Sequence, residues 1–112
     1  MDTNRIIEKV EIVTFQSIVK RYKSAIFISS HALDHLSLAQ RKVFKEEDLE
    51  RPILQEQPNF VGLQKNGRYA SYYKRDKYFL KIILEVKETK IDIITFMNVE
   101  NIPNLGELEN GK

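Results

Sequence analysis

The chain has no cysteine, only four glycines and only three prolines among its 112 residues. Without cysteine, neither a disulfide framework nor a thiolate site can form. Long apolar runs are also missing, since none approaches the roughly 18 residues of a membrane-spanning helix. The first residues, Met1–Arg5, lack the apolar segment of a signal peptide. We therefore expect a protein of the cytoplasm that does not contact a membrane.

An excess of one charge is missing as well, because 18 basic and 16 acidic residues leave a net charge of only +2. By itself this value does not indicate a nucleic-acid partner. The basic residues are nevertheless concentrated in one stretch, in which Asp76 is the single acid. The basic residues of this stretch are Lys65, Arg68, Lys74, Arg75, Lys77 and Lys81. The charge distribution therefore says more about partners than the net charge does.

The first half of the chain is predicted to be mainly helical. The length and a hydrophobic content of 42% indicate one domain with a single core. Residues 4–23 favour one helix, although Val10–Ile12 also fits a short strand. Ala25–Ser29 is predicted as a strand, and Ser30–Lys42 as a helix with Ser30 as its N-cap. Lys45–Gln55 is predicted as a further helix, which Pro52 either kinks or starts afresh.

The second half is predicted to be a β-meander. Asn66-Gly67 is typical of a two-residue type I′ turn, in which both residues have positive φ. The predicted strands are Asn59–Lys65, Arg68–Lys74, Tyr78–Val86 and Ile91–Met97. The expected fold is therefore α+β, with two or three N-terminal helices packed on a four-stranded antiparallel sheet. A flexible tail is expected over residues 100–112.

Two histidines and a set of strand residues are candidates for chemistry. His31 and His35 are four residues apart, so on a helix they lie on one face, beside an apolar stripe. Alternation places Arg68, Tyr72 and Lys74 on one face of their strand, and Ile91, Ile93, Thr95 and Met97 on one side of the last strand. An imidazole can take the proton of a ribose 2′-hydroxyl, basic side chains can stabilise charge on phosphate, and tyrosines can stack on bases. These are the components of RNA cleavage without a metal ion.

Each of these features also has an ordinary structural explanation. A histidine is more often a boundary residue than a catalyst, and a zinc site at His31 and His35 lacks an obvious third ligand. A basic hairpin is often only a solvated face, and strand tyrosines commonly serve packing. The sequence contains no phosphate-binding glycine loop and no metalloprotease or esterase motif.

A series of short motifs over residues 26–98 resembles the barnase–EndoU–colicin–RelE-like nuclease superfamily, and its small phage and toxin-like members above all. The motifs are Ser29–Ala32, Gln40–Phe44, Glu47–Leu49, Gln57–Phe60, Gly67–Tyr69, Tyr72–Lys74, Leu80–Leu84 and Ile93–Phe96. The resemblance implies helices on a four-stranded antiparallel sheet (a RelE-like fold) over about residues 25–98. It also implies cleavage of tRNA or mRNA by a toxin that needs no cofactor, with an antitoxin or other inhibitor protein as partner.

Residue by residue, the resemblance assigns His31 to the leading helix histidine, and His35 falls where some members have a second histidine and others a basic residue. It assigns Arg41 to the end of the same helix, Lys74 to the strand-borne base and Thr95 to the Ser/Thr position of the final strand. The leading hypothesis is therefore an endoribonuclease whose site comprises two groups of residues. The catalytic group is His31, His35, Lys74 and Thr95, and the RNA-binding group is Arg41, Lys65, Arg68, Tyr72 and Arg75.

Two other functions fit the same residues. One is a non-catalytic module that binds RNA or protein, in which the basic hairpins contact phosphates and the histidines are boundary residues. The other is an adaptor whose acidic segment, Glu46–Glu56, faces a protein partner. Cleavage assays separate the first of these from a nuclease, and nucleic-acid binding at low salt separates the second.

Overall fold

Helices cover one face of a mixed six-stranded sheet in the computed structural model, which describes residues 3–34, 36, 37, 39, 45 and 47–103. The helices are α1 (Ile12–Arg21), α2 (Ser30–Asp34) and α3 (Glu47–Gln55). The strands are β1 (Ile6–Lys9), β2 (Ile26–Ile28), β3 (Phe60–Gln64), β4 (Tyr69–Lys74), β5 (Phe79–Val86) and β6 (Ile91–Val99). The strand order is β1-β3-β4-β5-β6-β2, and only β2, parallel to β6, departs from antiparallel pairing in the described sheet. The α+β class is therefore confirmed.

The prediction of a four-stranded antiparallel sheet is wrong, although the strand predicted at Ala25–Ser29 is confirmed as β2. The four predicted strands are present as β3–β6, each antiparallel to the next. However, β1 and β2 extend the sheet at its two edges. Residues 4–23 are not one helix, because Ile6–Lys9 pairs with β3 and α1 begins only at Ile12. The pairing partner of β1 lies more than 50 residues away along the chain, where no local pattern can indicate it.

Helices α1 and α3 cover one face of the sheet, which we call the helix side. Phe15 and Val19 lie four residues apart on α1, so both point into the core, and Leu49 and Ile53 do the same on α3. The buried members of this core are Phe15, Val19, Ile26, Leu49, Ile53, Val61, Tyr73, Ile82, Leu84, Ile91 and Ile93. Most of the protein's apolar burial is therefore on the helix side.

The opposite side of the sheet, which we call the second face, has a smaller core. Its buried residues are Phe60, Ala70, Tyr72 and Ile83. Each of them is adjacent in sequence to a residue that belongs to the larger core or packs against that core. The predicted alternation of β4 is thereby confirmed, since Ala70 and Tyr72 lie on the second face while Tyr73 faces the helices.

A β-bulge at Ile94 changes the direction of the side chains along β6. Ile83 pairs with Thr95 but Leu84 pairs with Ile93, so Ile94 is an extra residue on β6. Ile93 consequently faces the helices, whereas Thr95 lies opposite Ile83 on the second face. The prediction that Ile91, Ile93, Thr95 and Met97 share one side is therefore wrong, because one inserted residue reverses the alternation.

Two local predictions need correction in detail. The β3–β4 connection is not a type I′ turn, because Gly67 has φ +88° while Asn66 has no positive φ. The Gly67 amide donates to the Gln64 carbonyl (2.9 Å), as in a type I turn followed by a left-handed glycine. Helix α3 continues through Pro52 and does not begin there. At the start of α3, the Asp48 carboxylate accepts a hydrogen bond from the Lys45 amide (3.1 Å).

Candidate functional site

Ser29 attaches the start of helix α2 to the bulge in β6. Its amide donates to the Ile93 carbonyl (2.9 Å), and its hydroxyl donates to the Ile94 carbonyl (3.2 Å). The same hydroxyl oxygen accepts from the Ala32 amide (3.1 Å). Ser29 is thus the N-cap that was predicted at Ser30, since its side chain bonds the third helical amide. The polar contacts of one serine therefore place His31 next to β6.

His31 is exposed, while its neighbour Ala32 is completely buried. His31 therefore lies outside the core. The predicted helix over Ser30–Lys42 is not continuous, because α2 ends at Asp34 and neither Leu36 nor Ser37 is helical. Thr95 directly follows the bulge residue whose carbonyl Ser29 contacts, and α2 packs against β6. The structure therefore brings His31 and Thr95 into the same region of the molecule. His35 and Arg41 lie outside the described residues.

The register of the strands shows what surrounds Thr95 on the second face. Directly opposed residues form three rows across β4, β5 and β6. The rows are Ala70–Ile83–Thr95, Tyr72–Lys81–Met97 and Lys74–Phe79–Val99. Strand spacings of about 4.8 Å and residue spacings of about 3.4 Å put the backbones of Lys74 and Thr95 about 17 Å apart. Lys74 and Thr95 therefore share a face but not an immediate site.

Lys81 is the basic residue that the register places nearer to Thr95. It is one strand and two residues away, which corresponds to about 8 Å between the backbones. Its ammonium lies 5.6 Å from the centre of the Tyr72 ring. The sequence prediction counted Lys81 among the basic residues but assigned it no role. Alternation along β5 could have indicated the face on which Lys81 lies, because Lys81 and Phe79 alternate with the apolar residues that face the helices.

Tyr72 belongs to the core of the second face and not to its surface. Tyr72 is only 3% exposed, and its ring packs edge-on against the Phe60 ring with 5.7 Å between the ring centres. Burial raises the pKa of the Tyr72 hydroxyl to about 12, so the group stays protonated at neutral pH. A ring this enclosed has no free face on which a base can stack, so the expected stacking role at Tyr72 is not supported.

Two of the three arginines predicted to bind RNA, Arg68 and Arg75, are each paired with a glutamate. The Arg75 guanidinium binds both carboxylate oxygens of Glu56 (2.9 and 3.1 Å) and donates to the Lys74 carbonyl (2.8 Å). Arg68 donates from Nε to a Glu85 oxygen at 3.3 Å. A bidentate pair uses the donors that a phosphate would need. Within the basic stretch of the sequence, both arginines therefore form ion pairs with glutamates.

The remaining predicted residue, Lys65, is exposed in the β3–β4 loop, where its amide donates to the Arg5 carbonyl (2.8 Å). This loop is at the opposite end of β4 from Lys74. Within the described ranges, no three His, Asp or Glu side chains converge as a metal site would require. None of the helices described here is long and apolar enough to cross a bilayer.

Comparison with known proteins does not identify a relative of this chain. No family model, no curated protein and no solved structure matches it.

Proposed function

We propose that this protein is a cytoplasmic, metal-independent endoribonuclease of the toxin type. The observation that carries the proposal is the attachment of α2 to the β6 bulge through Ser29, at 2.9 and 3.2 Å. This contact holds an exposed histidine beside the strand that brings Thr95 onto the same face as Lys81 and Lys74. RNA cleavage requires a proton-transfer group together with cations that stabilise charge on the phosphate.

The reaction we propose is an internal phosphoryl transfer. His31 removes the proton from a ribose 2′-hydroxyl, whose oxygen then bonds to the adjacent phosphorus. The bond from phosphorus to the 5′-oxygen breaks, and that oxygen takes a proton from the acid, for which His35 is the candidate. The products are a 2′,3′-cyclic phosphate and a free 5′-hydroxyl. Lys81 stabilises charge on the phosphate, and Thr95 orients it by a hydrogen bond.

The direct test is incubation of purified protein with tRNA and with mRNA in the presence of EDTA. We expect discrete cleavage by the wild type, and a rate about 10²- to 10⁴-fold lower for His31→Ala. The His31→Ala/His35→Ala double variant should show no cleavage. Ser37→Ala, an exposed change near α2, is a control purified in the same way. Equal cleavage by all four proteins would reveal a contaminating nuclease and contradict the proposal.

A second candidate is a non-catalytic RNA- or protein-binding module on the same fold. The observation that favours it is the pairing of Arg68 with Glu85 and of Arg75 with Glu56, which leaves fewer cations to stabilise a transition state. RNA binding that weakens steeply with salt, without cleavage between about pH 5 and pH 9, would establish this alternative. For a nuclease of the toxin type, an acidic segment of an inhibitor protein is the further partner we propose for the basic face over Arg68–Lys81.

A further inference from the structure

One end of the second face combines lysines with apolar side chains, and we call it the cationic end. It consists of Lys74, Lys77, Phe79, Lys81 and Met97, at and beside the β4–β5 turn. The Lys74 ammonium lies 4.8 Å from the centre of the Phe79 ring, directly opposite it in the register. Lys81 lies directly opposite Tyr72 in the register, and its ammonium is 5.6 Å from the centre of the Tyr72 ring. Two aromatic rings and two lysines therefore alternate across β4 and β5.

The charges of Lys74 and Lys77 at the cationic end are available to a ligand. Lys74 and Lys77 are exposed, and neither forms an ion pair with a carboxylate in the part of the chain that the structure describes. Elsewhere the structure pairs Arg68, Arg75 and Lys87 with acids at 2.8–3.3 Å. Phosphate groups are the ligands that such solvated ammonium groups attract.

The cationic end also exposes apolar surface. Met97 lies opposite Lys81 and is 42% exposed, and Phe79 is only half-buried. An exposed apolar group surrounded by cations is a feature of surfaces that bind ligands. The flat face of a base fits against such side chains, but in a duplex that face is covered by the neighbouring base pair.

We infer that the cationic end binds an unpaired RNA strand, with phosphates on Lys74 and Lys77 and a base against Phe79 and Met97. This inference deepens the proposed function, on which it rests for the choice of RNA as ligand. It specifies single-stranded segments as the substrate class and assigns Phe79 and Met97, which carry no charge, to substrate recognition.

The test is the affinity of the His31→Ala protein for a fluorescein-labelled 12-nucleotide RNA, free or annealed to its complement, over a range of KCl concentrations. We expect tighter binding of the free strand. Adding Lys74→Gln should weaken binding and reduce the slope of log affinity against log salt by about 0.7, the value for one lost phosphate contact on a single strand. Adding Phe79→Leu, which keeps an apolar side chain in the core, should weaken binding about ten-fold without changing the slope.

Lys23→Gln is the matched control, because it removes one exposed lysine from the turn after α1, outside the cationic end. Unchanged binding in Lys74→Gln and Phe79→Leu, equal effects in the control, or no preference for the free strand would overturn the inference. Thermal unfolding of each variant detects loss of fold, and Lys74→Gln tests the site even where Phe79→Leu is unstable. Binding that depends on these residues without any wild-type cleavage would contradict only the nuclease proposal, whereas cleavage that is indifferent to them would contradict only the inference.

Discussion

Charged side chains make different contacts at the two ends of the second face. At the end formed by the β3–β4 loop and the β5–β6 turn, which we call the paired end, basic side chains form ion pairs with Glu85 and Asp92. Arg68 binds Glu85 at 3.3 Å, and Asp92 receives Lys87 at 2.8 Å and Lys90 at 3.5 Å. At the cationic end, lysines lie over aromatic rings instead. Charged side chains therefore stabilise the fold at the paired end, whereas Lys74 and Lys77 at the cationic end form no ion pair within the described residues.

The register explains why the paired end needs its cations. Glu85 and Asp92 stand directly opposite each other on β5 and β6, and like charges in this position destabilise a sheet. Arg68 compensates one carboxylate, and the lysines of the β5–β6 turn compensate the other. Lys74 and Lys77 at the cationic end do not compensate a carboxylate in this way within the described residues. Charges that the fold does not require are the better candidates for binding.

The largest effect on stability at the paired end is expected from Asp92→Asn. The hydrogen bond from Lys87 holds the pKa of Asp92 below its usual value of 3.8, and the contact raises the pKa of Lys87. The stabilisation is therefore present at neutral pH and is lost as pH falls below about 3.8 through the lowered pKa. We expect a loss of about 1 kcal/mol at pH 7 in urea unfolding. The loss should become smaller as the pH falls below 3.8.

Asp76→Asn provides the matched control for this experiment, because it makes the same chemical change at an exposed carboxylate in the β4–β5 turn. The control should leave the free energy of unfolding unchanged. The comparison of the two ends would fail if Asp76→Asn were as destabilising as Asp92→Asn, or if Asp92→Asn were neutral at pH 7.

A smaller effect is expected from the Arg68–Glu85 pair. Both side chains are 36% exposed, so solvent screens their attraction. A double-mutant cycle with Arg68→Gln and Glu85→Gln should give a coupling energy of about 0.5 kcal/mol or less. Repeating the cycle in 1 M salt should reduce the coupling toward zero. A coupling that is large and independent of salt would show that this pair is more deeply enclosed than its exposure indicates.

The smallest effect, a change in RNA affinity, is expected from a substitution of Tyr72, a core residue next to the surface of the cationic end. Because Tyr72 is only 3% exposed, Tyr72→Phe should change the affinity for a single-stranded RNA by less than about two-fold. Fluorescence anisotropy with the labelled RNA measures this directly. A ten-fold loss would mean that the Tyr72 hydroxyl reaches the RNA, and that the boundary drawn between core and binding surface is misplaced.

Much of the β-structure could be predicted from local pattern. The sequence placed β3–β6 within two residues of their observed ends and assigned Tyr72 and Tyr73 to opposite faces, because alternation is a property of each strand alone. The same reasoning failed at Thr95, since one extra residue at Ile94 reverses all positions after it. Bulges depend on how two strands pair, so neither strand indicates them by itself.

The candidate site was predicted less completely than the fold. The sequence identified His31 and the lysines by residue type, but it grouped Arg68 and Arg75 with them because it counts charges without their partners. Glu56 and Glu85 neutralise those arginines across 19 and 17 residues of sequence. Lys81 became relevant only when the register placed it near Thr95.

The sequence by itself determined the class of the fold, the four strands of the meander and the first turn of the histidine helix. These are short-range properties, set by side-chain alternation and by the hydrogen-bonding residues at helix and strand ends. Only the tertiary structure decided how the two edge strands pair, the face on which Thr95 lies and which basic residues form ion pairs. Those properties arise from contacts between distant segments, because strand register and ion pairing depend on which surfaces the common core brings together.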